Sequence, residues 1–412
     1  MSRPKFVIFA LGCKVNQYDA AVLKRSLLTK GLELSDKQPD LVIINTCSVT
    51  KTAISKDKQM IKKLRLKFPQ AKLVVIGCWP QTDDQASLEN PDILFWGVGH
   101  DDELIKKIIS LFPNWNIKTL SEETKENLLV PSEKSRYFLK VGDGCNQFCS
   151  YCLIPYARGP IVSRPLEELI EEASAAVAAG YGEIILSGIH LGRYGQDLKG
   201  PSLIKLLKRL LAISGLGRLR LSSIEINEVD DELIKLMAEN NKICRHLHIS
   251  LQSGSDKILK AMKRPYTAEY YKGQIDKLRA VMPEIAISTD IIVGFPGENG
   301  EDFADTCRFA EEIAFSKIHV FSFSAHEQTA AYQLPDKVPF QKIKQRSKIL
   351  REISEQLETR YRDKVLGDLK GQKIKVIVER VRGAKNKGKT EFYFDIEIDS
   401  KGKIGSLVEV EL

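Results

Sequence analysis

Three cysteines that lie far apart in this chain share one local position, each standing directly after a short, strongly apolar run. Cys13 follows KFVIFALG (5–12), Cys47 follows DLVIINT (40–46) and Cys78 follows KLVVIG (72–77). Apolar runs of this length, rich in β-branched residues, read as strands buried on both faces, and such strands belong to parallel sheets flanked by helices. NQYDAAVLKRSLLTKG, KTAISKDKQMIKKLRLKF and DDELIKKIIS supply the helices, and DILFWGVG (92–99) a fourth strand. A parallel sheet delivers the carboxyl ends of its strands to one edge. With neighbouring strands roughly 5 Å apart, the three thiols converge despite the 33 and 30 residues between them. Converged thiols can hold an iron–sulfur cluster with one iron left without a protein ligand. Three separate core cysteines are the other reading of the same spacing.

A second set is local. GCNQFCSYC (144–152) places Cys145, Cys149 and Cys152 directly after the apolar run YFLKVGDG (137–144), at the carboxyl end of a strand. Thiolates spaced C-x3-C-x2-C can wrap one cubane and leave its fourth iron open to a substrate or cofactor. A zinc site completed by a distant ligand, or a structural cluster with a fourth cysteine, uses the same residues. Zinc is disfavoured because the chain lacks the paired C-x2-C or H-x3-H arrangements that usually accompany it. Cys244 and Cys307 fit neither set and read as core thiols.

Past a polar stretch without clean periodicity (114–135), five further strand patterns follow the first: GEIILSGIH (182–190), RLRLSSIE (218–225), HLHISLQS (246–253), AISTDIIVGFP (286–296) and KIHVFSFS (317–324). Helical patterns separate them. Six βα units joined by right-handed crossovers make a curved, incompletely closed parallel barrel whose site lies at the carboxyl ends of its strands. QKIKQRSKILREISEQLETRYRDKVLG (341–367) is a long charged helix, and KIKVIVERV, KTEFYFDIEID and SLVEVEL alternate like antiparallel strands of a small β-barrel. The expected organisation is an α/β chain: a parallel α/β amino-terminal domain (1–112), a linker (113–135), a partial (βα)6 barrel (136–340), a connecting helix (341–366) and a small antiparallel β-barrel (367–412).

Composition narrows the setting. With 43% hydrophobic and 28% charged residues among 412, the chain is globular in type. No run approaches the roughly 18 apolar residues of a membrane helix, and the first residues make no convincing signal peptide, so a cytoplasmic protein with no membrane partner is expected. In a reducing cytoplasm eight cysteines are poor disulfide material, which favours metal binding. A formal charge of +8 suits a polyanionic partner without requiring one.

Taken together, LGCKVNQYD, NTCSVT, VIGCWP, GCNQFCSYCLIPYARG, SSIE, HLHISLQSGSDKILKAMKRPYT and STDIIVGFPGE resemble the radical S-adenosylmethionine methylthiotransferases over nearly the whole chain. The terminal module is similar to the RNA-binding TRAM β-barrel that usually closes these enzymes. GCKVNQYDA looks most like the branch acting on threonylcarbamoyladenosine beside the tRNA anticodon. Two places depart from the family pattern: Ser250-Leu251-Gln252 stands where relatives typically carry Pro-Leu-Gln, and His326-Glu327-Gln328 where they carry an Arg-Glu-Gly turn.

The resemblance implies two 4Fe-4S clusters and S-adenosyl-L-methionine. Cys145, Cys149 and Cys152 would hold the cluster that binds S-adenosylmethionine, and one electron, from a flavodoxin- or ferredoxin-like donor, would yield the 5'-deoxyadenosyl radical that activates C2 of the adenine at tRNA position 37. Cys13, Cys47 and Cys78 would hold the cluster that carries or delivers sulfur from an unidentified source. Tyr151 would pack near the cofactor adenine, Ser187 and Gly188 approach the methionine amine, and Ser223, Glu225 and Asp290 meet ribose hydroxyls; the other reading is a tyrosine at the loop rim for Tyr151 and ordinary strand-end residues for the rest.

A threonylcarbamoyl carboxylate calls for a cation, for which Arg158, Arg193 and Arg264 are candidates. RGAKNKGK (382–389) reads as a connection between two terminal strands, with Arg382, Lys385, Lys387 and Lys389 placed for phosphate contacts or simply solvated. His246 and His248 share one strand face and read as hydrogen-bonded interior residues rather than a metal pair. Competing functions are methylthiolation of isopentenyladenosine in tRNA or of a ribosomal-protein aspartate, and, outside enzymes, a two-cluster electron carrier or redox-sensing RNA-binding protein.

Overall fold

The computed structural model describes residues 3–83, 86, 90–99, 102–113, 115, 135–382, 385–399 and 402–412, without the side chains of Arg382 and Lys385. The linker expected over 113–135 falls outside these residues except at 113, 115 and 135. The chain forms two compact units: Met1–Ser132 with Gly144–Asn146 and Leu153–Pro160, and Glu133–Asp143 with Gln147–Cys152 and Ile161–Leu412.

In the first unit, β1 (Lys5–Ala10), β2 (Glu33–Leu34), β3 (Leu41–Thr46), β4 (Lys72–Gly77) and β5 (Leu94–Trp96) form an all-parallel sheet in the order β2-β1-β3-β4-β5. Every residue of the central β3 is buried because helices cover both faces. Side-chain alternation sends Phe6, Ile43, Val74 and Ile76 against Leu23, Leu27 and Ile108 on one face, and Val42, Ile44 and Val75 against Ile61 and Leu64 on the other. Each such side chain contributes about 1.5–3 kcal/mol by leaving water. Thr50 caps the helix Lys51–Lys67 by accepting from the Ala53 N–H at 3.1 Å. The helix Lys14–Thr29 has Cys13 at the same position without a side-chain cap bond.

In the second unit, β6 (Tyr137–Asp143), β7 (Val162–Ser163), β8 (Glu183–Gly188) and β9 (Arg218–Leu221) pair in the order β7-β6-β8-β9, with only β7 antiparallel. β10 (Ser223–Ile224), β11 (His246–Ile249), β12 (Ala286–Val293) and β13 (Lys317–Ser322) continue as a parallel sheet in sequence order. The expected third strand is therefore two strands. Ser222 turns between them and donates its N–H to Leu186 O at 3.0 Å, so one run of chain serves both sheets. Helices Leu166–Ala178, Leu203–Leu211, Asp231–Glu239, Ala268–Val281 and Gly300–Ile313 complete the βα alternation and share one apolar core with the strands. The long helix Phe340–Asp368 follows and is tied to β13 through Ser354 Oγ, which accepts from Ile318 N at 3.0 Å.

The terminal residues form a four-stranded antiparallel sheet, ordered β16-β15-β14-β17, from β14 (Lys373–Arg382), β15 (Lys385–Thr390), β16 (Asp395–Ile398) and β17 (Leu407–Glu411). Two expectations are corrected. Lys385–Lys389 is not a connection but part of β15, because β14 and β16 supply ladder partners on both of its sides. KTEFYFDIEID is not one strand, because it turns at Tyr393, whose φ of 71° is left-handed and whose N–H reaches Thr390 O at 3.2 Å. The sheet is fastened to the barrel by Arg218, which donates to Lys375 O at 2.7 Å and Lys389 O at 2.9 Å, and by Arg220, which donates to Glu391 O at 2.9 Å and Thr390 O at 3.0 Å. Both arginines are held from behind by the fully buried carboxylate of Glu183.

Candidate functional site

In the first unit, β1, β3 and β4 end at one edge, and Cys13, Cys47 and Cys78 follow them there. Cys13 is exposed while Cys47 and Cys78 are buried, and all are free thiols. Gly12, at φ 99°, lets the chain turn into the helix Lys14–Thr29 against Cys47. A Cβ at Gly12 would stand 2.8 Å from Cys47 Cβ and 3.3 Å from its Sγ, so only glycine leaves this sulfur room.

Asn16 organises the edge. Fully buried, it donates to Asn45 Oδ1 at 3.0 Å and Thr46 O at 2.8 Å, and its Oδ1 accepts from Cys13 Sγ at 3.0 Å and from an Arg158 Nη at 3.1 Å. Arg158 also donates through Nε to Cys78 Sγ at 3.3 Å and through both Nη atoms to Asp19 Oδ2 at 3.3 Å. The Cys47 N–H donates to Asp57 Oδ2 at 3.0 Å. Burial, with Cys78, Cys13 and Asp57 nearby, pushes the Cys47 thiol up to about 12, the backbone N–H of Val49 acting the other way. Burial likewise pushes Asp57 up to about 7 against the opposing Cys47 N–H.

Neither Asn16, Asp19, Asn45 nor Asp57 was singled out in the sequence. The available signal was two polar residues three and six positions past Cys13, on the inward face of an otherwise apolar helix.

The second set begins at β6. Gly144, at φ 72°, precedes Cys145, whose N–H donates to Gly159 O at 3.0 Å. A Cβ at Gly144 would lie 1.8 Å from Pro160 O, so the loop closes on itself only through glycine. In the second unit the loop is pinned at Ser150: its N–H meets Met262 O at 3.1 Å, its Oγ meets Ala261 O at 2.8 Å, and its carbonyl accepts from Ala331 N at 2.7 Å. Tyr151 packs on Ile258, Met262, Phe295 and Ala331. Arg264, buried, donates to Cys149 Sγ at 3.3 Å and to Tyr266 Oη at 2.9 Å, and pairs with Glu225. Tyr266 in turn donates to Ser250 O at 2.8 Å, and Ser250 Oγ donates to Asp290 Oδ2 at 3.3 Å.

Asp290 also meets His248 Nε2 at 3.1 Å. Burial raises its carboxyl, but the bonds from His248 and Ser250 and the nearby His319 outweigh this and hold it below the ordinary range. His248 and His246 share Ser288 Oγ, each at 3.0 Å. Cys149, Tyr151, Glu225, Arg264 and Asp290 thus belong to one connected neighbourhood. Ser187 is buried with its hydroxyl on Leu139 O at 3.3 Å, Gly188 ends β8 opposite Gly142, and Ser223 opens β10 exposed, opposite His248.

The candidate carboxylate readers separate. Arg158 and Arg264 are buried and engaged internally. Arg193 is partly exposed and is steadied by Glu228 at 2.8 Å, which His190 also meets at 2.6 Å. Glu225 and Glu228 form a reciprocal cap on the single turn Ile226–Glu228, so one turn orients two arginines. In the terminal sheet, Lys387 meets Asp395 at 3.0 Å and Lys389 pairs with the same carboxylate. Both lysines line a cavity of about 1060 Å³ with Lys317, His319, Arg362 and Tyr393.

Residues 139–310 match the radical SAM superfamily and residues 5–97 match an uncharacterized protein family, UPF0004. The fold is similar to that of the radical S-adenosylmethionine methyltransferase TsrM from Kitasatospora setae, solved with cobalamin and a 4Fe-4S cluster bound. The TM-score is 0.57 at 17% identity over 78% of this chain and 75% of that one. A parallel βα barrel with C-x3-C-x2-C after its first strand is the architecture of a radical S-adenosylmethionine enzyme.

Over 368 residues the chain is 38% identical to the threonylcarbamoyladenosine tRNA methylthiotransferase MtaB of Thermotoga maritima, covering 87% of this chain and 84% of that protein. Over 362 residues it is 37% identical to MtaB of Bacillus subtilis, covering 85% and 80%. It is also 37% identical over 354 residues to the tRNA-2-methylthio-N(6)-dimethylallyladenosine synthase of Carboxydothermus hydrogenoformans, covering 82% and 80%. The chain belongs to the radical S-adenosylmethionine methylthiotransferase family. Membership carries S-adenosylmethionine and a 4Fe-4S cluster as cofactors.

The donor chemistry fits such a cluster: three free thiols on one loop, soft ligands for iron, with Arg264 set against one sulfur. Among the described residues no three His, Cys, Asp or Glu side chains stand in metal-holding geometry. The sulfurs of Cys13, Cys78 and Cys149 are engaged by Asn16, Arg158 and Arg264. Nor is any helix among these residues long and apolar enough to cross a membrane.

Proposed function

We propose that the protein inserts a methylthio group at C2 of N6-threonylcarbamoyladenosine at position 37 of tRNA. The observation that carries this reading is the run of relatives named for that reaction at 33–38% identity across most of the chain, together with a second thiol set, Cys13, Cys47 and Cys78, on one sheet edge. The residues around that edge suit a second 4Fe-4S cluster: Gly12 leaves space beside Cys47, and Cys78 and Cys13 lie near enough to Cys47 to add to the rise that burial gives its thiol.

The cluster on Cys145, Cys149 and Cys152, when bound, supplies the electron that cleaves S-adenosylmethionine. The chain's own residues do the rest. Arg264 steadies Cys149, Tyr151 offers a ring beside two ligands, and Glu225 and Asp290 offer carboxylates to ribose hydroxyls, with Ser187, Gly188 and Ser223 on neighbouring strand ends. Arg193, held by Glu228, is the cation best placed to meet a threonylcarbamoyl carboxylate. Lys387 and Lys389, with Arg382 and Lys385, would contact tRNA phosphates from the TRAM-like segment 367–412. The setting is the cytoplasm, with a flavodoxin- or ferredoxin-like electron donor.

The test is mass spectrometry of digested tRNA from cells lacking the gene and from cells with it restored. The methylthio form of threonylcarbamoyladenosine disappears and returns if the reading holds. If the isopentenyladenosine derivative changes instead, the substrate is the one named for the Carboxydothermus relative.

A further inference from the structure

Arg158 lies six residues past Cys152, at the last position of the helix Ile154–Arg158, yet its side chain is spent on the other thiol set. It is buried, and its Nε–H points at Cys78 Sγ at 3.3 Å, while Asp19 and Asn16 take its two Nη atoms at 3.3 and 3.1 Å. A guanidinium cannot shed its proton, so this cation is permanent, and Asp19 keeps it from being an uncompensated buried charge. Asn16 closes the arrangement from the other side, accepting from both Cys13 Sγ and Arg158. A donor and a positive charge fixed on a ligand sulfur stabilise the more negative, reduced form of a cluster, and hydrogen bonds to sulfur are among the levers that set cluster potentials.

We infer that Arg158 is a positioning residue that holds Cys78 and raises the reduction potential of the cluster carried by Cys13, Cys47 and Cys78; this rests on the reading that those thiols bind one. The segment carrying the radical-generating thiols thereby also sets the electronic poise of the sulfur-handling thiols. Arg158 is accordingly withdrawn from the set of substrate-carboxylate readers.

The experiment uses full-length protein in which Cys145, Cys149 and Cys152 are all replaced by Ala, so that only the first thiol set remains, reconstituted with iron and sulfide and titrated potentiometrically with EPR detection. Arg158→Met combined with Asp19→Asn removes the ion pair as a unit. It is expected to keep the iron content of its parent, show a more negative midpoint potential and alter the EPR signal of the reduced state. Arg158→Lys retains a cation and is expected to recover part of the potential. An unchanged potential and EPR signal at full iron content overturns the proposal. So does loss of iron in both variants, which would make Arg158 a scaffold residue only. A parent that binds no iron overturns the cluster reading itself before any Arg158 variant is compared.

Discussion

Arg264 holds Cys149 and Glu225 at once: its Nη1 donates to the cysteine sulfur at 3.3 Å and its Nη2 pairs with the carboxylate. The arginine is buried, so the glutamate fixes both its charge balance and its direction.

Replacing Arg264 with Gln removes the cation from the sulfur and leaves Glu225 without its partner. Groups that support metal ligands typically matter by 10–100-fold, and a fall of about that size is expected in 5'-deoxyadenosine formation under strong reductant. Glu225→Gln keeps a hydrogen-bond acceptor and is expected to fall less. Equal rates in wild type and Arg264→Gln would remove Arg264 from the machinery.

Glu183 governs stability rather than chemistry. Burial alone would raise its carboxyl, but Arg220, Arg218 and Arg136 outweigh that and hold it at about 2. Glu183→Ala leaves two buried guanidinia without a counter-charge and is expected to destabilise the second unit by about 3–5 kcal/mol, read by denaturant unfolding. Because the folded pKa lies below the unfolded one, the stabilisation is complete above about pH 5 and lost as pH falls from about 4 toward about 2. A Glu183→Gln variant should lose this acid-side slope while wild type keeps it.

Asn16→Leu deletes both donors and the acceptor that join β3, Cys13 and Arg158. Each buried polar group left unsatisfied costs about 1–3 kcal/mol, so loss of more than one such unit is expected on unfolding. Lower iron uptake by the first thiol set should accompany it, measured in protein lacking the other three thiols.

The terminal lysines predict a counter-intuitive result. Asp395 already neutralises part of Lys387 and Lys389, so Asp395→Asn should tighten tRNA binding and steepen its salt dependence. Lys387→Ala with Lys389→Ala should flatten the log–log salt slope by less than the roughly two units expected of unpaired phosphate contacts. Fluorescence anisotropy across a salt series checks both; no change in either variant would place the tRNA elsewhere.

The positions of Cys13, Cys47, Cys78 and Cys145 were legible in the sequence because each follows an apolar run, and strand direction then puts it at the carboxyl edge of a sheet. The barrel was legible for the same reason. What escaped was set by tertiary partners. Nothing local in RLRLSSIE marks Ser222 as the point where one sheet hands over to the next. KNKGKT has no apolar stripe, and becomes a strand only because β14 and β16 flank it. Tyr393 adopts a left-handed turn without the glycine, asparagine or proline that would announce one. Arg158 looked like a substrate ligand until the sheet edge brought Asp19 and Cys78 to it.

The arginines that pass from β9 to the terminal sheet have a mechanical consequence. Arg218 and Arg220 are clamped by Glu183 behind and by four main-chain carbonyls in front. The sheet is therefore bolted to the barrel floor rather than tethered to it. Side chains that the sheet presents to solvent therefore keep a fixed spacing from the strands of the barrel, because no flexible joint separates the two.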